Sequence, residues 1–274
     1  MRFYTDQHPY YCGIDLHTKN MYICILDQAG KILVHKNIST SPQAFLQVIE
    51  PFLPDIAITV ECIFTWYWIA DLCQEENIPF ILGHALYMKA IHGAKTKNDK
   101  IDSRKIAVLL RGGMIPMAYV YPAEMRSTRD LLRRRMHFMY KRSELLSHIQ
   151  NTRSQYNLPE FNKCISRKRN RAGISEQFED VSVRKSIELN LTLLKQYDIL
   201  LNDVELYLTR HAKEHDPNNL YLLHTIPGVG KILAMVLLYE INDINRFERV
   251  QKLYLIFKTD QTSKDIRRKS NRFR

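Results

Sequence analysis

The sequence predicts an α/β fold, a mixed sheet with helices on both faces, followed by a long helical region. Three observations predict it. Short apolar runs dominate the first hundred residues and, after the third, alternate with helical patterns. From Ala123 the chain is polar, long and nearly free of Gly and Pro, with apolar residues at helical spacing. Near the C-terminus, Ile226-Pro227-Gly228-Val229-Gly230-Lys231 separates two apolar helical segments.

The elements follow in order. YYCGIDLH from Tyr10, MYICILD and KILVHKNI read as three strands joined by tight links, an antiparallel meander. Ser39-Thr40-Ser41-Pro42 starts a helix over QAFLQVIEPFL. IAITVE is a continuous apolar run suited to a strand buried on both faces, and it ends in Glu61. TWYWIADLCQEEN is a second helix that Asn77 can end, and IPFILG is a fifth strand. HALYMKAIHGA then leads to KTKNDKIDSRKIAVLL, where Asn98 or Asp99 can cap a helix and Ile101, Ile106, Leu109 and Leu110 follow at helical spacing. Three antiparallel strands, helix, strand, helix, strand, helix is the order of a ribonuclease-H-like fold.

The totals narrow the function. The 274 residues suffice for one large or two ordinary domains, and 45% hydrophobic content is normal for a globular core. The net charge of +11 favours a polyanionic partner. No apolar run reaches the roughly 18–20 residues needed to span a membrane, and MRFYTDQHPYY lacks the apolar core of a signal peptide. The five cysteines, Cys12, Cys24, Cys62, Cys73 and Cys164, form no CxxC pair. They read as reduced, mostly buried thiols of a cytosolic protein.

Four acids carry the chemistry. Asp99 and Asp102 lie three apart, on one helix face. Two carboxylates about 4 Å apart repel by roughly 4 kcal/mol at an effective dielectric near 20. Lys97, Lys100 or Arg104 can offset this by folding back, and a divalent cation offsets it better. The same acids also complement the helix dipole, a purely structural role. Asp15 lies near the end of the first strand and Glu61 at the end of the fourth. In the predicted topology those strands are parallel neighbours, so both carboxylates emerge on one edge. Together Asp15, Glu61, Asp99 and Asp102 suit two magnesium ions about 3.5–4 Å apart, the arrangement that clamps attacking and leaving oxygens in phosphodiester cleavage.

GIDLHTKNMYICILDQAGKI, VECIFTWYW and KTKNDKIDSRKIAVLLRGGMIP resemble the DEDD transposases of the IS110 insertion-sequence family, which includes the Piv-type invertases. The resemblance covers residues 10 to about 160 and resumes near Leu222. It implies a RuvC-like N-terminal nuclease domain whose matching acids are Asp15, Glu61, Asp99 and Asp102, with Mg²⁺ as cofactor. It further implies a dimerisation coiled coil, hence a homo-oligomer. Its implied partners are DNA, both element ends and target, and a bridge RNA.

After Tyr121-Pro122 the helix to about Leu158 carries Leu131, Leu132, Met136, Met139, Leu145, Leu146 and Ile149 on its apolar side. Arg126, Arg129, Arg133, Arg134, Arg135, Lys141, Arg142 and Arg153 sit among them, and this one-signed charge points to nucleic-acid phosphate. Residues 159–180 are expected to be the least ordered segment, with Arg167, Lys168 and Arg169 in a flexible basic loop that touches nucleic acid. Val183 to His211 is a second long helix, and the pair forms an antiparallel coiled-coil hairpin.

The Pro227–Lys231 stretch looks like a helix-hairpin-helix. Gly228 and Gly230 admit a phosphate close to the backbone, and Lys231 adds positive potential. A structural hairpin is the alternative. The string lacks the Walker spacing, which argues against nucleotide hydrolysis. The resemblance implies a glycine- and serine-rich segment bearing a nucleophilic serine. KTDQTSKDIRRKSNRFR does not match it, so neither Ser263 nor Ser270 takes that role, and the expectation is a truncated copy.

The expected domains are 1–120, the DEDD nuclease; 121–215, the basic helices; and 216–274, the start of the C-terminal transposase domain. The function expected is that of a transposase or site-specific recombinase. The alternatives are a Holliday-junction-type metal-dependent nuclease and a non-catalytic nucleic-acid-binding remnant.

Overall fold

A computed structural model of the chain describes residues 2–92 and 98–247, with Arg249 and Gln251, and the side chains of 89–92 stand outside that description. Ser263, Ser270 and the basic tail also lie outside the described residues. The chain divides into two compact units, Met1–Ala123 and Glu124–Arg274.

The first unit is the mixed sheet. Strands β1 (Phe3–Tyr4), β2 (Tyr10–Leu16), β3 (Asn20–Asp27) and β4 (Ile32–Ser39) lead into α1 (Pro42–Ile49). Then come β5 (Ile56–Glu61), α2 (Tyr67–Glu75), β6 (Phe80–Gly83), α3 (Ala85–His92), α4 (Asp99–Arg111) and β7 (Ile115–Pro116). The main sheet runs β4-β3-β2-β5-β6, with β5 parallel to both β2 and β6 and the other pairs antiparallel. This is the ribonuclease-H-like order. The short antiparallel pair of β1 and β7 has no sequence signal, because two residues show no periodicity.

Strand alternation divides the core. Cys12, Ile14 and Leu16 of β2 face one way, into a cluster with Phe45 and Ile49 of α1 and Ile69 and Cys73 of α2. Tyr11 faces the other way, clustered with Ala57, Ile81 and the α4 residues Ile106, Leu109 and Leu110. Burial pushes the thiol pKa up to about 11 at Cys24 and about 12 at Cys73, so these are inert core groups.

Between Tyr11 and Asp15 stands Gly13. A β-carbon there would overlap the backbone of Ser103 and Ala107. The helix therefore lies directly on β2, with small residues at its contact. Asn98 caps α4, its side chain accepting from Lys100 N at 3.0 Å. His35 Nε2 lies 2.8 Å from the Lys100 carbonyl oxygen, which ties the first turn to β4. Ile101, expected on the apolar face, is 45% exposed; the burial falls instead on Ser103 and Ala107, where the backbones approach most closely.

The second unit is helical: α5 (Ala123–Gln155), α6 (Val181–His215), α7 (Pro217–Thr225) and α8 (Lys231–Ile241). Arg135 bonds Glu205 at 2.6 Å, Arg142 bonds Asp198 at 2.7 Å, and Asn190 bonds His148 at 3.0 Å. Partner numbers fall on α6 as they rise on α5, so the helices run antiparallel. Ile187, Leu194, Leu201 and Leu208 are buried at heptad spacing along α6, as a coiled-coil seam requires.

Two expectations change here. Residues 159–180 are not an open loop: Ile165, Ile174 and Phe178 are buried with Ile149, Ile187 and Leu194. Arg171 turns inward, bonding Asp198 at 2.6 Å. The positive charge of α5 is also largely engaged within the unit. Arg126 and Arg129 are buried, Arg153 packs over the Phe161 ring, Lys141 pairs with Glu144, and Arg135 and Arg142 pair across to α6.

Glu240 of α8 is a buried carboxylate held by Arg129 at 2.9 Å and Arg133 at 2.8 Å. Burial pushes its pKa up, but the hydrogen bond and charge of Arg133, with those of Arg129, outweigh burial and hold it below the usual carboxylate range. The stabilisation is therefore present above the unfolded pKa of about 4.3 and lost as pH falls through the lower folded value. Glu240→Ala is expected to cost about 3–5 kcal/mol, because it leaves the buried Arg129 without this counter-charge. Urea denaturation at pH 7 and pH 4 checks both: the gap between wild type and variant is largest at pH 7 and closes in acid.

Candidate functional site

The site forms where the C-terminal edge of the sheet meets the start of α4. Register brings Ile14 opposite Val60 on the parallel pair β2 and β5, so Asp15 and Glu61 follow at adjacent strand ends. Alternation puts both on the face that α4 covers, with Tyr11, Gly13 and Ala57. Asp15 is mostly buried, its side chain 14% exposed, while Asp99 is about half exposed.

Among the described residues, Asp15, His17 and Asp99 form one group whose ligand-type atoms all lie within 4.8 Å of one another. His17 Nε2 is 3.5 Å from Asp15 Oδ2 and 3.6 Å from Asp99 Oδ1. That nitrogen is shielded from solvent yet has no hydrogen-bond partner among the described residues. Two carboxylates and an unbonded imidazole nitrogen from separate elements are a donor set that suits a divalent cation. Asp102, one turn along α4, is held by Lys105 at 3.3 Å.

The backbone around His17 is fixed from several sides. Its N–H donates to Asn20 O at 3.1 Å, its carbonyl accepts from Thr40 Oγ1 at 2.8 Å, and the Leu16 carbonyl accepts from Thr65 Oγ1 at 3.2 Å. Sequence reasoning passed over His17 and His35. The signal for His17 was its place two residues after Asp15, the spacing that keeps a strand's side chains on one face. His35 had no such signal, since its partner at Lys100 is distant in sequence.

The predicted nucleic-acid contacts lie in the second unit. Gly228, at φ 85°, and Gly230, the residue before α8, stand at an exposed hairpin with open space where a side chain would be. No side chain caps α8, whose first residue is the exposed Lys231. Arg134 is exposed, whereas Arg133 is shared with Glu240. Arg167, Lys168 and Arg169 are exposed, and a cavity of about 560 Å³ is lined by Lys163, Cys164, Arg167, Arg169 and Asn170. The hydrogen bond from Ser166, with Arg167 and Arg142 nearby, draws the exposed Cys164 thiol below its ordinary pKa.

No described helix is long and apolar enough to cross a membrane. Comparison with known families gives two matches. Residues 12–157 match the DEDD transposase model of the IS110 type, described as a transposase. Residues 220–257 match the model described as transposase IS116/IS110/IS902 family. No curated protein matches the chain.

Proposed function

Since the chain belongs to the IS116/IS110/IS902 family of transposases, we propose that it cuts DNA phosphodiesters through divalent ions held at Asp15, Glu61, Asp99 and Asp102. The observation that carries this reading is the convergence of Asp15 and Asp99, from the end of β2 and the start of α4, on a common point. Two Mg²⁺ ions bound there would polarise the scissile phosphate and make an attacking hydroxyl or water more nucleophilic. The protein's own contribution is placement. Gly13 lets α4 lie on the strand, His35 holds its first turn, and Lys105 restrains Asp102.

Nucleic acid is held by the second unit. The Gly228–Lys231 hairpin is closed by the Val229 N–H donating to Ile226 O, and it offers the N-terminus of α8, which no side chain caps, to a DNA phosphate, a contact independent of base sequence. The cavity flanked by Arg167 and Arg169 suits a second phosphate run, which we assign to a bridge RNA. Dimerisation uses α6, where Leu189, Leu193, Leu200 and Tyr207 make an exposed stripe apart from the buried heptads. The test is strand scission of DNA carrying element ends by the purified protein with bridge RNA. Scission that needs Mg²⁺ and stops on chelation is expected; scission unaffected by chelation would remove the reading.

A further inference from the structure

The carboxylates of Asp15 and Asp99 suit a hard cation. They do not account for His17, whose Nε2 lies between Asp15 and Asp99, is shielded from water and makes no hydrogen bond among the described residues. Its main chain is fixed by Asn20 and Thr40, so the ring's position does not depend on the carboxylates alone. A nitrogen donor changes what a site prefers. Carboxylate and water ligands suit Mg²⁺, whereas imidazole strengthens binding of later first-row ions, in the order Mn²⁺, Fe²⁺, Co²⁺, Ni²⁺.

We propose that His17 is a direct ligand in this centre, and that Asp15, His17 and Asp99 together form a site selective for Mn²⁺ and Co²⁺ over Mg²⁺. The inference rests on the metal-dependent reading of the same site. It adds the residue that sets which ion is held.

The experiment is calorimetric titration of the full chain with Mg²⁺, Mn²⁺ and Co²⁺, paired with pulsed electron paramagnetic resonance of the Mn²⁺-loaded protein. His17→Asn, His17→Ala and Asp15→Asn are compared with wild type, and circular dichroism confirms that each is folded. Wild type is expected to bind Co²⁺ at least about 10-fold more tightly than Mg²⁺ and to show the modulation of a directly coordinated imidazole nitrogen. Both His17 variants are expected to lose that modulation and most of the preference, with Mg²⁺ affinity altered by less than about threefold. An unchanged preference with the nitrogen signal intact would overturn the role of His17 while leaving the carboxylate site standing. Ion binding that is absent in wild type, or indifferent to Asp15→Asn, would overturn both.

Discussion

Asp15→Asn is expected to lower Mg²⁺-dependent strand scission by about 10³-fold or more while leaving the fold intact. The side chain is mostly buried at the end of β2, and the amide has nearly the same volume, so core packing is unchanged. What changes is charge. The carboxylate is one of two that come within 4.8 Å of a common set of donors, and an amide oxygen is a far weaker ligand for a divalent cation. Removing one of two close like charges also relieves repulsion in the absence of metal. Asp99 is half exposed, so screening keeps that gain small, of order 1 kcal/mol or less. Scission and thermal unfolding of the metal-free variant should therefore move differently: the first collapses and the second holds or rises slightly. Parallel loss of both would mean that Asp15 is a structural residue.

Gly13→Val has the second large effect, with the opposite signature. Any β-carbon at Gly13 meets backbone atoms of Ser103 and Ala107, which cannot turn aside as a flexible side chain would. Relief requires α4 to lift from β2, exposing part of the cluster that contains Ile106, Leu109 and Leu110. A loss of about 3 kcal/mol or more is expected, roughly 10 °C in melting temperature for a unit of this size. Displacing Asp99 by even about 1 Å would also lower scission about 100-fold in the molecules that remain folded. Gly230→Ala is the contrast. Open space surrounds that position and its φ of −77° is ordinary, so stability should change by less than about 1 kcal/mol. Thermal melts of the two variants beside wild type give the comparison.

Much of the first unit was legible because its signals are local. Apolar runs bounded by turns gave the five strands of the main sheet, and Asn98 marked the start of α4. The heptad of Ile187, Leu194, Leu201 and Leu208 likewise declares its seam. What stayed hidden depends on distant partners. Nothing near Arg129 and Arg133 shows that Glu240, more than a hundred residues away, takes up their charge, or that Asp198 holds Arg142 and Arg171. A count of positive residues overstates the surface open to phosphate for that reason. Residues 159–180 misled in the same way, since Ile165, Ile174 and Phe178 follow no period and find their burial only against α5 and α6. At the site, Asp15 and Asp99 could be paired from strand order. His17 carried only its spacing of two residues from Asp15, and because it lies just beyond the end of β2 its place became clear only with α4 set over it.

The proposed function turns on a divalent ion held where the end of β2 meets the start of α4. Crystals of the protein soaked in Mn²⁺ and measured for anomalous scattering test it most directly. An anomalous peak bounded by the carboxylates of Asp15 and Asp99 and the Nε2 of His17 is expected, as is its disappearance in Asp15→Asn. A fully occupied Mn²⁺ peak elsewhere in the molecule, with none between Asp15 and Asp99, would contradict it.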